Sequence, residues 1–168
     1  MVYPKQWCCL WKIFFMANTY SQLYIQTVFA VKYRLAVIDE SWENRLKKYI
    51  TAIVQNDGHK VIALNNVKDH VHLFFGLEPK QSISKLMQIV KADSSKWINE
   101  EKLTQRRFYW QEGFGAFSYS KSHIGRVANY IANQKEHHKK VSFPDEYHKM
   151  LKNFGVEYDE RYTFKPLE

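Results

Sequence analysis

The sequence predicts an α+β fold, a ferredoxin-like or RRM-like sandwich in which helices pack on one face of an antiparallel sheet. Short segments rich in β-branched and aromatic residues alternate with longer segments of helical periodicity. Turn residues between two of the β segments indicate a hairpin. The resulting order, strand, helix, hairpin, helix, strand, is that of the sandwich, and a tyrosine-bearing helix follows towards the C-terminus. In such a fold the second face of the sheet is free for a nucleic acid or another partner.

The first strand is predicted at residues 19–31, where Tyr, Ile, Val, Thr and Phe predominate. A basic tip follows at residues 32–34. Ser41 is placed to cap a helix that continues to about residue 56 with apolar residues at helical spacing. An Asp-Gly pair at residues 57–58 then ends this helix.

The predicted hairpin consists of strands at residues 59–67 and 70–77, because Asn, Lys and Asp supply turn chemistry between them. A second helix begins at Ser82 or Ser84 and continues to about residue 98.

The remaining segments are a β-like stretch and two helices. Residues 108–119 are aromatic, and the glycines at 113 and 115 indicate a bulge or a close backbone approach. A third helix is predicted at residues 122–140 and a short fourth helix at residues 143–153.

The length of 168 residues predicts one domain, at residues 16–155, followed by a tail at residues 156–168. We expect residues 1–15 to be a loose arm or an extension from an upstream start codon, because Met16 begins a natural-looking N-terminus.

The net charge of +8 favours a polyanionic partner, nucleic acid above membrane, although surface lysines kept for solubility explain the charge equally well.

Cysteine usage and hydropathy indicate the compartment. Cys8 and Cys9 are the only cysteines, and an adjacent pair fits neither a disulfide framework nor a zinc knuckle. No stretch approaches the length of a transmembrane span, and residues 1–15 make a poor signal peptide. The sequence therefore predicts a protein of the cytoplasm.

His70 and His72 lie two residues apart in the third predicted strand, so both imidazoles point to the same face. Val71 and Leu73 take the apolar face, which places the histidines on the open side of the sheet. Two rigidly spaced imidazoles form half a metal site, and the alternative is a pair of histidines that are merely exposed or hydrogen-bonded. Asp69 shares the phase of Val71, so we interpret it as a turn residue and not as a ligand.

Tyr130 and Gln134 lie four residues apart on the third predicted helix and therefore share a face. Tyr130 is a candidate nucleophile, and the alternative is a half-buried aromatic residue at the edge of an apolar stripe. A phenol with a pKa near 10 needs help to attack, which a divalent cation supplies by polarising the electrophile. Two imidazoles and the amide oxygen of Gln134 suit manganese or magnesium better than structural zinc.

These two motifs, in this order, resemble those of the insertion-sequence transposases of the HUH single-tyrosine class, the IS200-like family. His-Val-His at residues 70–72 stands between an aspartate and an apolar run, and Tyr-Ile-Ala-Asn-Gln follows at residues 130–134. The resemblance extends from about residue 16 to residue 138. It also includes the first strand with its basic tip, the start of the second helix, and the aromatic stretch at residues 110–118.

The resemblance implies a DNA transposase that nicks single-stranded DNA and carries out strand transfer. It implies that Tyr130 attacks the scissile phosphate to leave a 5′-phosphotyrosine and a free 3′-hydroxyl. His70, His72 and Gln134 would be the ligands of Mg²⁺ or Mn²⁺. The implied partner is single-stranded DNA with imperfect-hairpin ends, and the implied assembly is a homodimer in which the tyrosine helix completes the neighbouring subunit's site. A bacterial, nucleoid-associated location would follow.

Basic residues on the tip and the second helix are our candidates for phosphate contacts, and a solvated surface is the alternative. These candidates are Lys32, Arg34, Lys85, Lys91 and Lys96.

Two rival functions stay open at the level of sequence. A domesticated relative would cleave repetitive hairpin DNA for its host without transposition. A non-catalytic ferredoxin-like module would bind nucleic acid, with histidines that only hydrogen-bond or stack on bases.

Overall fold

The computed structural model describes residues 20–159 and 163, and its framework is a four-stranded antiparallel sheet of order β2-β3-β1-β4. The strands are β1 (Tyr24–Ala30), β2 (Lys60–Asn66), β3 (His70–Gly76) and β4 (Gly115–Tyr119). The helices are α1 (Glu40–Asn56), α2 (Ile83–Glu100), α3 (Ile124–Ala132), α4 (Gln134–His137) and α5 (Phe143–Asn153). The predicted α+β fold and the β2–β3 hairpin are confirmed.

β1 and β3 are the two central strands, and their register sets the position of the histidines. Ala30 pairs with His70 and Val28 pairs with His72. On one face of the sheet the apolar side chains of β1 and β3 form a fully buried core with α1 and α2. These are the apolar positions that the alternation in β3 predicts.

The second face of the sheet is covered as well, so the expectation of an open face is wrong where the histidines lie. His70 and His72 are both fully buried. The reason is α5, whose apolar side chains pack on Val28, Ala30 and Phe117, while α3 packs on Phe74. α5 is an amphipathic helix, and its apolar face needs a surface to pack against.

Local sequence explains the ends of the helices. Asp39, and not the predicted Ser41, caps α1, because its carboxylate accepts a hydrogen bond from the amide of Ser41. Ser82 caps α2, and Ser142 caps α5, whose range agrees with the prediction.

Two predicted elements are shorter or divided. The aromatic stretch at residues 108–119 forms a strand only from Gly115, because Gly113 has a φ of 75° and turns the chain. The predicted helix at residues 122–140 starts as a 3₁₀ turn and is divided at Asn133 into α3 and α4.

The predicted arm at residues 1–15 lies outside the described residues, as does most of the predicted tail. Within residues 20–159, none of the helices combines the length and the apolar character that crossing a bilayer requires.

Candidate functional site

His70 and His138 are held in the tautomer that leaves Nε2 free to bind a cation. The Nδ1 atom of His70 lies 2.8 Å from the carboxylate of Asp69, and Nδ1 of His138 lies 2.9 Å from the carbonyl oxygen of Val141. Both partners only accept hydrogen bonds, so each Nδ1 carries a proton, and each ring presents a lone pair at Nε2 whenever it is neutral. An imidazole oriented by a carboxylate or a carbonyl is the usual form of a metal-bound histidine.

His72 has a comparable support from a buried amide. Its Nδ1 lies 2.9 Å from Nε2 of Gln26, and Oε1 of Gln26 accepts a hydrogen bond from the hydroxyl of Tyr119, at 3.0 Å. Because an amide can present either atom to either neighbour, Gln26 accommodates a protonated Nδ1 and a free Nε2 on His72.

Glu146, from α5, lies at the centre of the three imidazoles. Its Oε2 atom is 3.1 Å from Nε2 of His138, 3.3 Å from Nε2 of His72 and 3.7 Å from Nε2 of His70. The ring of Phe143, at the start of the same helix, stacks on His70 with a centroid distance of 4.0 Å. α5 therefore both covers the histidines and contributes a carboxylate to them.

These four groups have the chemistry of a metal site. One donor atom from each of His70, His72, His138 and Glu146 lies within 4.8 Å of the others. The three Nε2 atoms and Oε2 of Glu146 are buried without a hydrogen-bond partner among the described residues. Buried lone pairs that face each other are unfavourable unless a proton or a cation lies between them. Three imidazoles and a carboxylate fit a divalent transition metal.

The pKa values of the cluster reflect the same crowding. Burial lowers the pKa of His70 from 6.5 to about 4, against the opposing effect of Asp69. Burial acts to raise the pKa of Glu146, but the imidazoles of His138 and His72 outweigh it, so the pKa lies below its ordinary value. Burial likewise disfavours the charged form of His138, but Glu146 outweighs it and raises the pKa of that imidazole.

Tyr130 lies beside this cluster on α3. Its hydroxyl donates a hydrogen bond to Oε1 of Glu146, and its ring lies 6.1 Å from that of His72 between centroids. Burial, followed by the negative charge of Glu146, raises the pKa of Tyr130. The phenol is therefore protonated and oriented by a carboxylate that also faces the histidines.

Gln134, the predicted amide ligand, lies next to the cluster and contacts Glu146, but it is not one of the four residues whose donor atoms face each other. Its Nε2 donates to Oε1 of Glu146 at 2.9 Å. Its Oε1 is buried without a hydrogen-bond partner among the described residues, so one oxygen donor remains available.

A cleft of about 680 Å³ connects Tyr130 and Glu146 with the surface. Arg126, Lys149, His123 and His137 are among its lining residues, so its wall is rich in basic groups. Such a wall is complementary to a phosphodiester backbone.

Tyr130 reaches the histidines of its own chain. A 3₁₀ turn at Lys121–His123 joins β4 to α3 and lets α3 dock on β2 and β3.

The predicted basic residues are distributed over different surfaces. Arg34 makes two hydrogen bonds to Asp69, at 2.9 and 3.2 Å, and so supports the carboxylate that orients His70. The ammonium of Lys91 donates to the carbonyls of Gln111 and Gly113, at 2.5 and 2.8 Å, and fixes that loop.

The other three predicted contacts lie on exposed side chains. Lys85 and Lys96 lie on α2, which packs on the face of the sheet opposite the histidines. Lys96 is 3.8 Å from Glu100. Lys32 lies over the rings of Tyr33 and Tyr109.

Sequence reasoning missed His138 and Glu146. The sequence does contain a sign of a buried role for Glu146. This carboxylate shares one face of α5 with the apolar residues Phe143, Tyr147 and Met150. A carboxylate on a buried stripe needs a partner. The sign for His138 is weaker. This histidine lies four residues after Gln134, the spacing of one helix face, but it comes after the end of α4.

Comparison with known families places the chain among transposases. The family described as "Transposase IS200 like" matches residues 19–134. The ISDra2 transposase TnpA of Deinococcus radiodurans is 24% identical over 120 residues, which is 68% of this chain and 86% of that protein.

Two solved structures share the fold. A crystal structure from Deinococcus radiodurans R1, described as a transposase, has a TM-score of 0.58 at 22% identity and covers 70% of this chain and 94% of its own. A REP-associated tyrosine transposase bound to a REP hairpin has a TM-score of 0.57 at 14% identity and covers 74% of this chain and 73% of its own. α5, with Glu146, lies beyond the residues that the family match covers.

Proposed function

The chain belongs to the IS200-like transposase family, and on this premise we propose that it nicks single-stranded DNA and transfers the strand through a covalent bond to Tyr130. The observation that carries the proposal is the contact between the Tyr130 hydroxyl and Glu146, whose other oxygen faces three imidazoles. A phenol held against a cluster of buried metal-ligand atoms is an arrangement for attack on a phosphate.

The proposed reaction is a transesterification. The phenolic oxygen of Tyr130 forms a bond to the scissile phosphorus as the bond from phosphorus to the 3′-oxygen breaks. The products are a 5′-phosphotyrosine and a free 3′-hydroxyl, and attack by another 3′-hydroxyl reverses the exchange without ATP. The proton of the phenol passes to Oε1 of Glu146, to which the hydroxyl is already hydrogen-bonded, and the leaving 3′-oxygen takes up a proton from solvent.

The residues that would hold a divalent metal are His70, His72 and His138 through Nε2 and Glu146 through Oε2. Gln134 offers one further oxygen beside them. Bound there, the metal would act as a Lewis acid on the scissile phosphate. Three nitrogen donors favour Mn²⁺ over Mg²⁺, because magnesium prefers oxygen ligands.

The substrate we propose is single-stranded DNA that carries a hairpin. A REP-associated relative has been solved with a REP hairpin, and the cleft at Tyr130 offers basic groups to a DNA backbone. We also propose a homodimer, as the sequence resemblance implies. The resemblance implies shared sites, but the contact between Tyr130 and Glu146 of one chain favours a site completed within each subunit.

A nicking assay on circular single-stranded DNA with Mn²⁺ tests the proposal. We expect the wild-type chain to produce linear DNA and a protein–DNA band that survives denaturation, and we expect a chelator to abolish both. Tyr130→Phe removes only the phenolic oxygen, so it should lose the covalent band and keep DNA binding. Tyr158→Phe, at an exposed tyrosine outside the site, is the matched control. A covalent band that persists in Tyr130→Phe would contradict the assignment.

A further inference from the structure

A second cleft, which shares no residue with the cleft at Tyr130, lies between the turn at residues 31–37 and the loop at residues 103–109. We call it the loop cleft. Its volume is about 640 Å³, within the range of small-ligand sites. Its apolar lining residues are Val31, Leu35, Val37, Leu103 and Phe108. We propose that the loop cleft binds an unstacked base of single-stranded DNA, an inference that rests on the proposed function for the identity of the nucleic acid.

The backbone around the loop cleft is unusual. Tyr33, Arg34 and Lys102 are the only non-glycine residues with positive φ among those described, with values of 59°, 55° and 54°. Tyr33 belongs to the turn, and Lys102 immediately precedes the loop. Side chains in the left-handed region cost free energy, and such residues persist mainly where function requires them. Of these three residues, Tyr33 lines the loop cleft, while Arg34 and Lys102 adjoin the two segments that form it.

Two aromatic rings of the loop cleft are exposed to solvent, one of them on the residue with positive φ, Tyr33. Tyr33 and Tyr109 are each 46% exposed, although large aromatic side chains gain most from burial. Lys32 lies 5.2 Å from the ring of Tyr33 and 5.6 Å from that of Tyr109, and Arg107 lies 5.4 Å from the ring of Tyr109. Exposed rings beside cations are the elements that bind single-stranded nucleic acid, by stacking on bases and pairing with phosphates.

The charge around the loop cleft is complementary to DNA. Arg106 and Arg107 line both this cleft and an adjoining depression on α2 that Lys96 and Lys102 also line. The acidic groups lining the two are Asp39 and Glu100. Cations therefore outnumber acidic groups in the lining, and apolar side chains lie beside them. The apolar groups suit a base, and the cations suit its phosphates.

The loop cleft is also held in place before any ligand arrives. Asn99 on α2 accepts a hydrogen bond from the amide of Phe108 at 2.7 Å and donates one to its carbonyl at 3.0 Å. The amide of Lys32 donates to the carbonyl of Tyr109 at 2.9 Å, which joins the turn to the loop. A preorganised surface loses little conformational entropy on binding.

Binding is tested without catalysis, in the Tyr130→Phe background with a chelator present, so that the outcome does not depend on nicking. The probe is a fluorescein-labelled single-stranded 20-mer of mixed sequence, and anisotropy gives its Kd. We expect Tyr109→Ala to weaken binding about tenfold, because one base loses its stacking partner. Tyr109→Phe keeps the ring and should bind like the parent. Arg107→Ala should weaken binding and reduce the salt dependence, whereas Lys48→Ala, an exposed lysine outside the cleft, should change the Kd little.

A crosslink locates the base directly. The complex with the same oligonucleotide carrying 5-bromodeoxyuridine is irradiated and digested with trypsin, and the peptide of residues 108–121 is sequenced by mass spectrometry. The label should lie on Tyr109 and not on Tyr119, which lines the cleft at Tyr130. Equal Kd values for Tyr109→Ala and its parent, or crosslinks confined to residues outside the loop cleft, would overturn the proposal. If the wild-type chain forms no covalent DNA adduct but these results hold, the proposed reaction fails and the loop cleft stands.

Discussion

The position of one proton on each imidazole decides what the buried cluster can bind. Asp69 and the carbonyl of Val141 fix that proton on Nδ1 of His70 and His138, and both Nε2 atoms then face Glu146. Alternation in a strand was enough to predict that His70 and His72 share a face. It could not reveal His138 or Glu146, because their approach depends on the docking of segments more than 60 residues away along the chain.

Glu146 should be essential for metal binding. Glu146→Gln keeps the shape and removes the negative charge, so we expect the affinity for Mn²⁺ to fall by about 10- to 100-fold or more, as for other disrupted metal sites. Titration calorimetry with the DNA-free protein measures this directly. Glu136→Gln, which changes an exposed carboxylate paired with Lys139, is the control. Equal Mn²⁺ affinity for Glu146→Gln and the wild-type chain would show that Glu146 is not a ligand.

In the metal-free protein, the contribution of His70 to stability should be lost as the pH falls. The unfolded chain takes up a proton on His70 near pH 6.5, whereas the folded chain resists until about pH 4, so this stability is fully present above pH 6.5 and is lost below it. Between pH 7 and pH 5 the expected loss from His70 is about 2 kcal/mol. The raised pKa of His138 adds stability as the pH falls, which opposes the effect of His70. The lowered pKa of Glu146 makes its stabilising effect fade as the pH falls, mainly below this pH range.

Urea unfolding at both pH values, with a chelator present, checks this expectation. His70→Gln lacks the titrating ring and should show a loss smaller by about 2 kcal/mol than that of the wild-type chain. An equal loss in the two proteins would mean that His70 is not held neutral by burial.

At the scale of elements, α5 converts an open sheet face into an enclosed site. Its own boundaries were predictable from local signals, a serine cap followed by Pro144 and an apolar stripe. Its docking partner was not predictable, because a short amphipathic helix specifies that one face must be buried but not against which surface. The same limit applies to the division of α3 from α4 at Asn133, where no proline or glycine marks the break.

A substitution on β4 should loosen α5. A Cβ atom at Gly115 would lie 2.8 Å from the ring of Tyr147 and 3.1 Å from that of Phe117, so Gly115→Ala must displace α5 or its side chains. We expect a loss of about 1–3 kcal/mol in the free energy of unfolding and weaker Mn²⁺ binding, since Tyr147 adjoins Glu146.

Amide hydrogen exchange, followed peptide by peptide, should show the loss of protection concentrated in residues 143–153. Gly125→Ala on α3 is the matched control, because a Cβ atom there meets nothing within 4 Å and alanine favours a helix. It should leave exchange in α5 unchanged and raise stability slightly. Unaltered α5 protection in Gly115→Ala would refute the proposed contact.

At the scale of the whole molecule, the question is whether one chain completes its own site. Tyr130 contacts Glu146 and lies beside His72 within a single chain. We therefore expect that co-expressed His70→Ala and Tyr130→Phe chains stay inactive in nicking, because neither chain has both groups. Shared sites would restore one intact site in each mixed dimer. Recovery of nicking, with subunit exchange verified by differently tagged chains, would contradict assembly within one chain.

The most direct measurement identifies the amino acid that carries the DNA. The wild-type chain is incubated with Mn²⁺ and single-stranded DNA copied from the flanks of its gene, denatured, and digested with nuclease and trypsin. Mass spectrometry then examines the peptide of residues 127–135, in which Tyr130 is the only tyrosine. We predict a nucleotide attached to this peptide through Tyr130, and none when the metal is removed by a chelator. A nucleotide attached to a different tyrosine, or DNA cleaved without any covalent adduct, would contradict the central claim.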